Sequence, residues 1–349
     1  MKKRKKKKLT KIIGITAIFL FACLLIMVLY SLILLNKRIP QQEIIVKVTK
    51  NTSTSSIVHR FNSFGTLQPK TFFIPFIRIY SILTNKTPIS GTYRFTNENR
   101  NIDIIRSIFS GKQLSIVKVT YPEGSTVRDF ARITQTMLGI DTNSFYQAIN
   151  ESGYIQKLKI PINSIEGYLM PETYFFYYET EAVTVVRKLV ETQNKIWAEK
   201  FDTMCKEKGL SRHFVLTLAS IIELESPLDV ERARISGVFY NRLRKGMRLE
   251  SDPTVQYALQ QKKRLRTTDL DTDSRFNTYK YIGLPPGPIC SPGISAIEAA
   301  INPENHNYYY FVAFGDGSGR HRFAKTYAEH LKNKRMFKQN LKKQSSTTK

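Results

Sequence analysis

Cysteine is scarce in this chain: Cys23, Cys205 and Cys290 are the three present in 349 residues. That is too few for a disulfide framework, and nothing in the spacing of Cys205 and Cys290 argues for a bridge. Histidine is equally thin. His59, His213, His306, His321 and His330 are scattered, with no HExxH or CxxC arrangement, so the sequence offers no metal site and points to no cofactor. Acids are short against bases, 28 Asp+Glu to 54 Lys+Arg, for a net charge of +26. Such a balance first suggests nucleic acid, but the amino terminus argues otherwise.

The first eleven residues, MKKRKKKKLTK, hold eight bases, and Ile12 to Leu35 then runs without a formal charge. A helix of that length crosses a bilayer core of about 30 Å. The run exceeds the h-region of a secretory signal, about 7–15 residues, and no small-x-small cleavage site closes it. A basic flank stays cytoplasmic. The expectation is therefore a cell (inner) membrane protein with one span at 12–35, its tail at 1–11 cytoplasmic and the remainder extracytoplasmic. The eight tail charges removed, the exported part still carries +18. It would meet little nucleic acid there, so anionic lipid head groups and anionic wall polymers are the expected neighbours.

After a linker at 36–42, EIIVKVTK and GTYRFT alternate as strands, and STSSIVHRFNSFG, PKTFFIPFIRIYSIL and NIDIIRSIFSGK read as helices, the last capped by Gly111. LSIVKVTYPEG (114–124) reads as a long strand, and STVRDFARITQTMLGI as a helix. The segment IEGYLMPETYFFYYETE reads as an aromatic loop whose acids, Glu166 and Glu172, are placed to line a sugar cleft. Core packing is the commoner role for Tyr168, Tyr174 and Phe175 taken singly. Helical periodicity returns at 182–204. Gly283, Pro285, Pro286, Gly287, Pro288, Pro292 and Gly293 stiffen a loop before a short helix, for which Ser295 and Glu298 have capping-box spacing. A hairpin is expected at 308–325, then a basic helix and a disordered tail at 344–349.

The chemistry concentrates at LASIIELES, residues 218–226. On an ideal helix, Phe214, Leu218, Ile221 and Ile222 lie within roughly 60° of Glu225, whereas Glu223 points about 160° away. Glu225 thus shares the inward face, and Glu223 is expected to stay wet. Pro227 disfavours continuation of the helix, placing Glu225 in its last turn. Burial and the negative end of the helix dipole both disfavour the anion, which raises the pKa and suits a general acid.

The motifs PEGSTVRDFA, IEGYLMPETY, LASIIELES, VFYNRLRKGMRLESDPTVQYAL, FNTYKYIGLPPGPICSPG, AAINPENHNYYYFVA and GDGSGRHRFAKT resemble, in order, those of the membrane-anchored endolytic murein transglycosylases, the YceG-like family. The resemblance covers nearly all of the exported part. It implies an α+β chain with a LysM-like module at 43–116, a connecting unit at 117–160 and a catalytic domain related to lytic transglycosylases at 161–343. The pair Glu225–Ser226 resembles the Glu-Ser of soluble lytic transglycosylases, which implies Glu225 as the catalytic acid. Ser226, Asp252, Gln256, Asn277 and Tyr279 fall in motifs that line the glycan cleft.

The implied reaction is non-hydrolytic cleavage of the β-1,4 bond between N-acetylmuramic acid and N-acetylglucosamine within nascent strands, leaving a 1,6-anhydro end and limiting elongation. The implied partners are peptidoglycan strands and the bilayer, with cell-wall synthesis proteins as a further class and no nucleic acid. Two rival readings are a non-catalytic wall-binding protein and a hydrolytic muramidase.

Overall fold

The computed structural model describes residues 2–49, 52–178 and 180–347, with side chains from Gly14 to Gln344. The first element, α1 (Lys2–Asn36), contains Gly14–Asn36, a stretch of 23 residues with mean hydropathy 3.0. It is long and apolar enough to cross a membrane. The chain divides into two compact units, residues 1–117 with 177–179, and residues 118–176 with 180–349.

In the first unit β1 (Glu43–Val48) pairs antiparallel with β2 (Gly91–Thr96), from Glu43 opposite Thr96 to Val48 opposite Gly91. Strand alternation sends Ile44, Val46 and Val48 inward. They meet α2 (Thr54–Asn62), α3 (Lys70–Thr84) and α4 (Asn101–Ser110) in a core that includes Phe61, Phe73, Ile77, Phe95 and Ile105. Gly111 ends α4 in the left-handed conformation that glycine adopts freely. The core also takes in Leu34 of α1.

The second unit holds α5 (Val127–Leu138), α6 (Thr142–Glu151), α7 (Tyr154–Lys157), α8 (Ala182–Ile196), α9 (Asp202–Glu207), α10 (Arg212–Glu225), α11 (Asp229–Arg244), α12 (Asp252–Ala258), α13 (Ile294–Ile301) and α14 (Tyr327–Thr347). Residues 118–160 lie inside this unit. Most of β3 (Ile116–Thr120) and β4 (Thr173–Tyr177), which pair with each other, belongs to it too, as does the antiparallel hairpin of β5 (Tyr310–Ala313) and β6 (His321–Ala324). Helix α10 forms the centre. Val215, Leu216, Leu218, Ala219, Ile221 and Ile222 are fully buried, and α11 and α13 pack against it.

Four expectations need correction. The aromatic segment is not all loop, because Thr173–Tyr177 is a strand whose Thr173 Oγ1 lies 2.9 Å from Thr120 Oγ1 on β3. β3 itself is only five residues long. Gly293, not Ser295, is the N-cap of α13. Helix α14 runs through Thr347, since no glycine or proline interrupts its Lys- and Gln-rich end; Thr348 and Lys349 lie outside the described residues.

Candidate active site

Ser211 caps α10 by accepting from the Phe214 backbone N–H, and Pro227 closes the helix at the other end, leaving Glu225 as its last residue. The stiff 283–293 loop is fastened along the helix. Ile289 N donates to Ser220 Oγ at 3.0 Å, Cys290 Sγ lies 3.3 Å from Ser220 O, and His213 Nε2 lies 2.7 Å from Pro286 O. Gly167 approaches the same loop with φ +79°; a Cβ there would collide with Pro288. Cys205 and Cys290 are both buried free thiols.

The two neighbouring acids have separate surroundings. Glu225 is partly buried, and its Oε1 accepts from Ser251 Oγ at 2.5 Å. Burial pushes its carboxyl up to about 7; the Asp252 charge adds to that, while the Ser251 hydroxyl and the Arg242 charge work against it. Glu223 does not stay wet. Its side chain is 7% exposed, with Arg232 Nη2 donating to Oε1 at 2.8 Å and Gly293 N donating to Oε2 at 2.9 Å. Burial raises its pKa as well. The helical wheel separated the acids correctly but had no knowledge of Arg232 on α11 or of the start of α13, which cover the second face.

Asp252 and Tyr279 stand next to Glu225. Asp252 is exposed at the first position of α12 and accepts from the Tyr279 hydroxyl at 2.6 Å. Burial and the charges of Asp252, Glu225 and Glu250 all push the Tyr279 hydroxyl well above its ordinary pKa, keeping it a neutral donor. Gln256 is partly exposed, with Nε2 bonded to Lys263 O at 2.8 Å. The other two residues of the sequence pattern point into the protein. Ser226 is 1% exposed, its Oγ donating to Leu228 O and accepting from Leu228 N. Asn277 is fully buried, its Nδ2 donating to Leu270 O and Thr272 O, both at 2.8 Å, and its Oδ1 accepting from Tyr279 N.

Sequence reasoning missed what holds Ser251 in place. Arg242, 7% exposed, donates from Nε to Tyr309 O at 2.6 Å and from Nη1 to Arg248 O and Leu249 O, both at 3.0 Å; Nη1 also pairs with Glu250 Oε2 at 3.1 Å. The clamped segment includes Glu250 at φ +53°, a strained conformation for a side chain of that size. Thr278 secures the far side, its Oγ1 accepting from Ser251 N at 3.0 Å. The only sequence signal was the first arginine of NRLR, residues 241–244, which also reads as part of an ordinary basic helix end.

Glu166 lies within the protein rather than on an open cleft. It is 4% exposed, and Val127 N at the start of α5 donates to its Oε1 at 3.0 Å. Burial pushes it up to about 8. Glu166 and Glu225 titrate near 4.5 when unfolded and higher in the fold, so the unfolded chain releases these protons first as pH rises. Stability should therefore fall between about pH 4.5 and 8. Glu166→Gln is expected to flatten that fall, read as the drift of the urea midpoint, followed by fluorescence of Trp197, the single tryptophan.

One desolvated carboxyl at a helix end stands beside a hydroxyl, a tyrosine and an exposed aspartate, an arrangement suited to general acid–base chemistry. The comparisons with known proteins agree in extent. The YceG-like family matches residues 46–336. A Bacillus subtilis (strain 168) protein named endolytic murein transglycosylase is 33% identical over 264 residues, 71% of this chain and 72% of that one. A protein of the same name from Streptococcus pneumoniae serotype 2 (strain D39 / NCTC 7466) is 28% identical over 266 residues. That alignment takes 67% of this chain and 48% of the pneumococcal one, so the chain spans about half its length. The crystal structure of a YceG-like protein from Listeria monocytogenes superposes with a TM-score of 0.58 at 31% identity, covering 84% of this chain and 99% of that one. The chain belongs to the YceG-like family.

Proposed function

We propose that the protein is a membrane-anchored endolytic murein transglycosylase that cuts the N-acetylmuramyl–N-acetylglucosamine β-1,4 bond inside nascent strands. The observation that carries the reading is Glu225, a carboxyl held at about 7 on the end of α10 within a chain whose relatives bear that name. Protonated Glu225 gives its proton to the departing glycosidic oxygen. The carboxylate then takes the proton of the muramic acid C6 hydroxyl as that oxygen bonds to C1. One carboxyl serves both steps, whereas glycosidases ordinarily use two. The nucleophile belongs to the substrate, so its high effective molarity replaces a positioned water.

In this reading Ser251 orients Glu225, and Asp252, Tyr279 and Gln256 face the glycan. Ser226 and Asn277, whose side chains are spent on the backbone, hold the turns that present them. Residues 43–116, within the first unit, form the LysM-like module, a reading supported by that unit's separate core. Helix α1 is the single span, with its basic end cytoplasmic and the chain that follows it outside. A muramidase is the alternative that Asp252 favours, since it is exposed and its charge reaches Glu225.

Mass spectrometry of products from uncrosslinked glycan strands tests the proposal. Ends one water lighter than hydrolytic ends are expected. Reducing ends would make the protein a muramidase, and intact strands a wall-binding protein. Turnover should decline as pH rises through about 7, where Glu225 loses its proton. Ser251→Ala removes a donor that stabilises the anion, so it should move that alkaline limb to higher pH.

A further inference from the structure

Helix α3 exposes three large apolar side chains, Ile79 at 56%, Ile82 at 77% and Leu83 at 80%. Spaced at i, i+3 and i+4, they form one stripe, roughly opposite the buried Phe73 and Ile77. Such a stripe on a surface helix has a partner in view. The surrounding sequence has a further peculiarity. From Ile44 to Asn97 there is no aspartate or glutamate, while Lys47, Lys50, Arg60, Lys70, Arg78 and Lys86 supply positive charge; Arg94 pairs with Glu43.

The same unit grips the end of α1. Leu34 is in its core and Leu35 packs against it. Asn101 on α4 donates from Nδ2 to Leu34 O at 2.9 Å and from its backbone N to Lys37 O at 3.0 Å. The 23-residue apolar stretch is about 35 Å long against a hydrocarbon core of about 30 Å. The gripped turn therefore falls at the head groups. Asn101 Oδ1 also accepts from Leu67 N at 3.1 Å, two residues before the Pro69 N-cap of α3. Helix α3 thus begins beside the outer end of the span, and its 15 residues reach at most about 22 Å from it.

We propose that the Ile79–Ile82–Leu83 face of α3 inserts into the boundary between head groups and acyl chains of an anionic bilayer, with the basic residues of this acid-free stretch supplying the attraction. The proposal rests on α1 being a membrane anchor. A lipid surface fits both halves of the observation, whereas an anionic polymer would leave the isoleucines and leucine in water. Tethering keeps the effective concentration of bilayer high, so weak insertion is enough to hold the unit flat on the membrane. Docked in this way, the unit would not swing on residues 37–42.

The test uses the full chain, one copy per nanodisc, with an environment-sensitive fluorophore on cysteine and quencher lipids of known depth. In the parent, Cys23 is exposed while Cys205 and Cys290 are buried, so the label reports the span. In Cys23→Ser/Leu83→Cys it reports the α3 face, at a position too exposed to disturb folding. Shallow quenchers in phosphatidylglycerol discs should remove most of the emission from position 83, and less in phosphatidylcholine alone. Arg78→Gln and Lys86→Gln should each weaken docking by roughly five-fold at low salt. Quenching at Cys23 but not at position 83 overturns the proposal, as does a blue-shifted but unquenched label, which would mean protein covers the face. If Cys23 is also unquenched, the anchor reading itself fails and the proposal with it.

Discussion

Glu225→Gln is expected to leave the chain folded and to cut the formation of anhydro ends by about 10²–10⁴-fold, the usual worth of a positioned acid–base group. Glutamine keeps the size of the side chain and can still accept from Ser251 Oγ, so the geometry around Asp252 and Tyr279 has no reason to change. What disappears is the proton that Glu225 carries near neutrality and the base that it becomes after giving it up. Glu223→Gln makes the informative control. Its amide oxygen can still accept from Gly293 N or Arg232, but the negative charge opposite Arg232 is gone. Stability should fall while turnover per folded molecule stays near the parental value. Both variants would be checked by Trp197 fluorescence during urea unfolding, then assayed by mass spectrometry on uncrosslinked strands. A folded, active Glu225→Gln with an inert Glu223→Gln would reverse the assignment of the acid.

The parts of the molecule that could be read in the sequence are those whose cause is local. The alternation in GTYRFT marks β2, and the glycine after Ser110 marks the end of α4. Pro227 and the apolar spacing of α10 place Glu225 at a helix end on an inward face. What escaped has partners far along the chain. Strand β4 pairs with β3 some fifty residues earlier, Thr120 and Thr173 being 53 positions apart, and a run of aromatics between Pro171 and Glu179 gives no sign of that partner. Glu223 is buried by a residue nine positions on and a backbone amide seventy positions on. Arg242 acts on the site through carbonyls, which no residue pattern reveals. Ser226 and Asn277 show the converse limit. A motif identifies the residue, but whether its side chain serves the substrate or its own turn is decided by geometry.

Arg232→Met should cost about 3–5 kcal/mol of stability, the range for breaking one side of a buried ion pair. Arg232 is 5% exposed and joins Glu223 to Asp229, the latter at 3.1 Å. Methionine fills much of the space of the arginine stem but leaves the Glu223 carboxylate 7% exposed, with only Gly293 N as a polar partner among the contacts described. The loss should depend on pH with a definite sign. Burial already raises Glu223 above its ordinary 4.5, and removing the Arg232 charge, which lowers it, raises it further. A carboxyl with a raised folded pKa destabilises the fold increasingly as pH climbs from its unfolded value through its folded one. The penalty should therefore be small near about pH 4.5 and grow through neutrality. Adding Glu223→Gln to Arg232→Met removes the stranded charge, so the double variant should recover part of the loss, and the cycle of four proteins gives the coupling directly. Urea midpoints by Trp197 fluorescence at acidic and neutral pH provide the measurement. A loss independent of pH, and additive with Glu223→Gln, would show that Arg232 stabilises the unit by packing rather than by neutralising Glu223.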